Sequence, residues 1–280
     1  YTTLGEGTVI NSNSFVDCQS PVDIDGTGCV VTGNSMYTTE PSTRTNSLQI
    51  IKARDAAGAV ISNNSIVGVD ASISIERVTG TTLKNNIVSG NRVHRTARSG
   101  ISYGIRIGTN ATFNTGNKIT GNTITGVMGD QTGSAIELTL SGGGFRGQEN
   151  IVSNNTVIMD DPCQLVYLNQ QERAIVSGNV LKCAGNIASA GTVRMMLLNT
   201  SQKVDVSENM FVWTSGGVNV AAKGIAATGV LSDNRYRANA FEIESASFTS
   251  VDQMGSVGAD GQTYERNVLS TLNPELNGAA

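Results

Sequence analysis

Apolar residues fall at fixed places around an asparagine. The unit apolar, polar, any, Asn, any, apolar recurs as INSNSF (10–15), VTGNSM (31–36), ISNNSI (61–66), LKNNIV (83–88), ITGNTI (119–124), VSNNTV (152–157), VSGNVL (176–181), VSENMF (206–211) and LSDNRY (231–236). Its asparagines stand at 13, 34, 64, 86, 122, 155, 179, 209 and 234, with spacings of 21, 30, 22, 36, 33, 24, 30 and 25. A helical solenoid keeps a stricter period and shows a 3.6-residue apolar stripe, and neither is present. A constant short core with variable spacing predicts strands stacked coil on coil, with length changes absorbed in the turns.

The asparagine has a physical job in such a stack. At a bend between strands its short side chain tolerates left-handed backbone angles. Stacked over its neighbours, each amide donates one way and accepts the other, which satisfies a buried corner without water. Asn64, Asn86, Asn122 and Asn155 are expected in one continuous file. After each corner comes a second segment of period-two alternation: PVDID (21–25), SLQIIK (47–52), SISIE (72–76), GIRIG (104–108), AIELT (135–139), LVYLN (165–169), VRMMLLN (193–199), GVNVA (217–221) and AFEIE (240–244). The pattern predicts an all-β fold, a right-handed single-stranded parallel β-helix of about nine or ten coils with three short strands each. The β-helix is expected over 1–248, followed by a polar tail over 249–280 that caps the column or contacts a neighbouring subunit. With Tyr1 in place of an initiator Met and a full-strength first coil, an excised or mature fragment is expected.

Composition narrows the function. The 280 residues carry 19 Lys+Arg, 23 Asp+Glu, one His, four Cys and 27 Asn. A net charge of −4 gives no whole-chain reason to expect nucleic acid as partner. No apolar run approaches the roughly 20 residues that span a bilayer, so no membrane is expected. One His with Cys18, Cys29, Cys163 and Cys183 argues against a Cys/His zinc site, and the thiols read as free and buried. No phosphate loop, nucleophile elbow or dinucleotide fingerprint is present, and neither cofactor nor metal is expected. The alternating aspartates of VDID (22–25) are a weak calcium signal. Trp213 and Tyr236 read as packing residues.

The repeat resembles the pectate lyase superfamily of right-handed β-helices, which includes phage tailspikes and other polysaccharide-degrading members. The likeness covers about 10–245. It implies that residues just after each Asn belong to a third sheet, that strands such as GIRIG belong to a first sheet, and that substrate lies along that first sheet and its bordering loops. It also implies a polysaccharide partner, a homotrimer, and a place on a virion tail or outside the cell.

Long detours between corner and first-sheet strand mark a walled flank: Val88 to Ile105, Met36 to Leu48, Ile124 to Ile136 and Leu181 to Val193. From Arg77 to Gly129 there is no acid but there are seven cations, Arg77, Lys84, Arg92, Arg95, Arg98, Arg106 and Lys118, with His94 among them. A basic groove for an acidic glycan follows, with His94, Arg95, Arg98, Tyr103, Arg106 and Tyr167 as substrate-binding candidates. Aligned first-sheet strands place Ser74, Arg106, Glu137 and Tyr167 in one outward column and Glu76, Gly108, Thr139 and Asn169 in the next. Glycoside hydrolysis needs two carboxyl groups. Glu137 is the best placed, with Glu76, Asp130, Asp160 or Asp161 as partner. The expected activity is a depolymerase acting on a bacterial surface or extracellular polysaccharide. The alternatives are β-elimination on a uronic acid, using Arg106, Arg98, His94, Tyr103 and Tyr167, and a glycan-binding spike without catalysis.

Overall fold

The computed structural model describes residues 3–18, 21–38, 50–76, 82–97, 101–108, 113–129, 133–140, 147–184, 192–214, 221–229, 232–244 and 263–271. Every strand pairing is parallel, and no helix forms among these residues. One coil shows the plan. Leu83–Lys84 leads into Ile87–Ser89, then Arg92–Ala97, then Tyr103–Gly108, and the chain climbs to repeat the circuit. Each segment pairs with its counterpart in the coils above and below. Among the described residues the result is a nine-stranded first sheet, second and third sheets of ten strands each, and a four-stranded short sheet between the first and second. This is a right-handed parallel β-helix. Three strands per coil were expected, and in the central coils the short sheet adds a fourth.

Period-two alternation fills the column. In the second sheet Ile61, Val88, Ile119, Val152, Val176, Val206 and Tyr236 stack inward. In the third sheet Ile66, Val93, Ile124, Val157, Leu181, Phe211 and Phe241 do the same, none more than 2% exposed. Phe211 and Phe241 stack with centroids 4.9 Å apart. Each such side chain contributes about 1.5–3 kcal/mol by leaving water. Trp213 is buried with them, as is Tyr236. All four cysteines are free thiols, Cys29, Cys163 and Cys183 buried and Cys18 half-buried.

The corners differ from expectation. There are two files of amides, five residues apart along the chain. The first runs through Asn13, Asn34, Asn64, Asn91, Asn122, Asn155, Asn179, Asn209, Asn239 and Asn267, each Nδ2 donating to the next Oδ1 at 2.8–3.1 Å. Asn86 is not in it. It begins a second file at the corner between the short and second sheets, donating to Asn117, which donates to Asn150. Asn234 also belongs to that second corner, where its Oδ1 accepts from the Val204 N–H. Both corners bend the chain the same way, so both produce the same six-residue pattern. The left-handed residue is the one before the amide: Asn63, Gly90, Gly121 and Asn154 have φ of 54°, 64°, 64° and 54°.

Two further boundaries shift. Ala240–Glu244, expected in the first sheet, pairs with Met210–Thr214 in the third. Within the expected tail, Thr263–Glu265 and Val268–Thr271 continue the second and third sheets. The repeat therefore persists past residue 248.

Candidate functional site

Register fixes the outer face of the first sheet. Asp23, Lys52, Ser74, Arg106, Glu137, Tyr167, Leu197 and Ala226 are successive partners in one column. Two residues further on, Asp25, Arg54, Glu76 and Gly108 are likewise in register, with Thr139 and Asn169 continuing the line. The expected columns are thus present, extended by two coils toward the N-terminus.

Glu76 is the electrostatic centre. Its Oε1 accepts from Ser74 Oγ at 2.7 Å and from Arg106 Nη2 at 2.6 Å, and its Oε2 lies 3.0 Å from Lys52 Nζ. Burial opposes its charge, but the Ser74 hydroxyl, Arg106 and Lys52 outweigh that cost and hold the carboxyl below its ordinary value. Tyr103 completes the cluster, donating to Glu76 Oε1 at 3.4 Å and accepting from Arg106 Nη2 at 3.0 Å. The Arg106 guanidinium lies 3.7 Å above the Tyr103 ring.

Glu137 stands on the next strand beyond Arg106, half-buried. Among the described residues none donates a hydrogen bond to it. Burial pushes its carboxyl up, only partly offset by Arg106. Arg106 therefore separates two carboxyl groups shifted in opposite directions. Tyr167 follows Glu137 in register, its phenol pushed up by burial and by Glu137 against a hydrogen bond from Asn199. Gly108 shapes the floor beside them. At φ 138° a Cβ there would lie 1.9 Å from the Thr139 carbonyl oxygen, so the second column keeps a notch between Glu76 and Thr139.

Other candidates go elsewhere. Val88 to Ile105 is not one long loop: it contains the Asn91 corner and the third-sheet strand Arg92–Ala97. His94 is exposed on that strand, its Nδ1 2.8 Å from Thr125 Oγ1. Arg95 was expected to hold substrate, but it is 0% exposed. Its guanidinium donates to the carbonyls of Ala71, Ile101, Tyr103 and Val127, and pairs with Asp70 at 3.4 Å. It staples three successive turns and supports Tyr103 from behind. Asp161 accepts from the backbone N–H of Met128 at 2.7 Å and of Gly129, clamping one turn onto the previous one. Asp160 is exposed beside it. Asp130, Arg98 and Arg77 lie outside the described residues, as do most of the detours after Met36 and Leu181.

The cation cluster also disperses. Lys84 is exposed on the short sheet, Lys118 on the second and Arg92 on the third, while Arg106 faces outward from the first. Neighbours in sequence leave the column on different sides. Further along the first sheet Arg194 and Lys223 stand in register with each other, while at its N-terminal end the cations are paired, Arg106 and Lys52 with Glu76 and Arg54 with Asp23. That pairing occupies an aspartate of the VDID segment. Lys52, Arg54, Asp23 and Asn199 also stand in these columns and are not among the sequence candidates; extending the column alignment by coils on either side finds them.

No family model matches the chain, and no curated protein matches it. Solved structures do. A Dettilon tailspike protein superposes with a TM-score of 0.56 at 16% identity, over 97% of this chain and 56% of its own. A mutant tailspike of E. coli bacteriophage HK620, in complex with a hexasaccharide, gives 0.54 at 11%, covering 95% and 56%. DFA-IIIase from Arthrobacter chlorophenolicus A6, in complex with GF2, gives 0.52 at 12%, covering 90% and 61%. The likeness is one of fold. The chain spans little more than half of the tailspike chains it matches.

Proposed function

We propose that this protein is a polysaccharide depolymerase working by glycoside hydrolysis on the outer face of its first sheet, with Glu137 as general acid and Glu76 as general base. The observation that carries the reading is the unequal surroundings of the two carboxyls across Arg106. Glu76 is held by Ser74, Arg106 and Lys52, which favours its charged form, while Glu137 is half-buried beside Arg106, where burial favours its protonated form. One is thus suited to accept and the other to donate a proton. Glu137 gives its proton to the glycosidic oxygen, and Glu76 takes one from the water that attacks the anomeric carbon. Their strands are two steps apart and Glu76 lies one column over, so the two backbones are about 9.6 Å apart across the sheet and about 6.6 Å along it, roughly 12 Å in all. Glu76 leans back onto Ser74 in the Glu137 column, which narrows the gap toward the wide, inverting kind of spacing and leaves it far from the about 5–5.5 Å of retaining enzymes. The likeness to tailspikes supports a glycan substrate and a virion tail as its place, and the expected homotrimer belongs to the same proposal. With the cations beside the carboxyl pair themselves paired, the reading favours a neutral or sparsely charged glycan over a polyuronate at this point of the sheet.

Glu137→Gln tests it. Cleavage of the target polysaccharide should fall by about 10²–10⁴-fold with binding retained, and proton NMR of early product should show inverted anomers. Full activity in Glu137→Gln would falsify the assignment. The stacked Arg106 and Tyr103 pair favours one second reading, β-elimination, which would leave an ultraviolet-absorbing unsaturated uronate. Binding without chain shortening would instead mark a spike without catalysis.

A further inference from the structure

Beyond Glu137 the two outward columns of the first sheet change character. On its N-terminal side they carry Asp23, Asp25, Lys52, Arg54, Glu76 and Arg106; on the other side, among the described residues, they carry no charge. We propose that the row Thr139, Asn169, Asn199 and Thr228, with Tyr167 beside it, is a binding strip for uncharged sugars of the glycan, one ring per coil. This rests on the first sheet being the substrate face.

Several observations support the strip. The row is pre-ordered: Asn169 Nδ2 donates to the Leu140 carbonyl at 2.9 Å and to Thr139 Oγ1 at 3.4 Å. Asn199 Nδ2 donates to Asn169 Oδ1 at 2.9 Å, and Thr228 Oγ1 donates to Asn199 Oδ1 at 3.0 Å. Side chains already held by neighbours lose little freedom on binding. Unlike the corner asparagines from Asn34 to Asn239, which are at most 1% exposed, all four members are half-buried. The fold does not require amides here. Asn169 and Asn199 precede the left-handed Gln170 and Thr200, and the same position in earlier coils is filled by Asp25 before Gly26 and by Arg54 before Asp55.

The pitch also fits, because an extended pyranose chain advances by about one ring length per unit, close to the about 4.8 Å between strands. Amides and hydroxyls both donate and accept, as vicinal sugar hydroxyls do, while neither column carries a cation here to hold a carboxylate or sulfate, Arg194 lying five residues before Asn199 on its strand. Tyr167 adds a ring face for the apolar side of a sugar and a phenol hydroxyl.

The test uses Glu137→Gln as a non-cleaving background. Calorimetry would measure binding of neutral glucan, galactan, mannan and rhamnan oligosaccharides of two to eight units, with oligogalacturonates of equal length as the charged arm. A neutral oligosaccharide should bind, and Asn199→Ala should weaken it by about tenfold, the loss of about one hydrogen bond. The loss should appear only for chains long enough to reach that coil. Thr228→Val, which keeps the side-chain shape, should give a smaller loss confined to longer chains still. No binding by any neutral member, stronger binding of the oligogalacturonates, or indifference to both substitutions overturns the strip. Asn199-dependent binding without cleavage by the wild type removes only the depolymerase; cleavage of a neutral polymer with affinity untouched by Asn199→Ala removes only the strip.

Discussion

Asn122 shows what one side chain does in this fold. Its Oδ1 accepts from both the N–H and Nδ2 of Asn91, and its Nδ2 donates to Asn155 Oδ1 and to the Val88 carbonyl. Asn122→Ala leaves those groups buried without partners, each a costly orphan. Stability should drop by about 2–4 kcal/mol, read by urea titration with an unchanged slope. Glu137 works in the opposite sense. A carboxyl raised in the folded state contributes stability below the ordinary carboxylate range and loses it as pH rises through the raised value. Glu137→Gln should therefore be more stable than the parent at neutral pH, with the difference closing in acid. A lower melting temperature for the variant at pH 7 would show that burial is not what shifts the group. Such a gain, paired with lost cleavage, is the stability–activity exchange expected of a catalytic acid.

Strands and turns show how far the amino-acid pattern reached. The apolar alternation of SISIE, GIRIG, AIELT and LVYLN placed four first-sheet strands and their outward columns correctly, because period two leaves one face for solvent. The corners were harder. VSGNRV (88–93) and YRANAF (236–241) fit the repeat as well as LKNNIV and LSDNRY do, and overlap them by one residue. Two bends five residues apart use the same left-handed residue and amide, so a single count per coil picked either one. Taking Asn86 as the first-file corner turned the strand Arg92–Ala97 into a loop, and with it Arg95 into a groove residue. With the strand read as a loop its parity was lost: Arg95 follows the inward parity of Val93, while His94 faces out. Arg95→Met should destabilise by about 3–5 kcal/mol, since four turn carbonyls and Asp70 lose a shared donor. Because the turns carry Tyr103, kcat should fall as well, even in variants still folded at the assay temperature.

Acidity acts on the column as a whole through the first sheet. Glu76 is lowered in the folded state, so its contribution is present above the ordinary carboxylate range and lost as pH falls through and below it. Glu76→Gln should cost stability at neutral pH, and the cost should shrink in acid. Activity should follow a bell with an acid-side optimum, its lower limb set by protonation of Glu76 and its upper limb by ionisation of Glu137. A rate flat from pH 4 to 9 would count against the pair.

The second file is imperfect, and its breaks matter to assembly. Ala59, Ala174 and Val204 stand where Asn86, Asn117, Asn150 and Asn234 do in other coils, with Gln171 and Ser201 bridging the gap from three residues upstream. The first file alone is nearly translation-symmetric, so a growing stack that skipped a turn would find acceptable partners there. At the uneven corner the same slip would set a buried amide against a methyl group. The irregular edge thus works like the wards of a key, rejecting mis-threaded columns that the regular edge would admit.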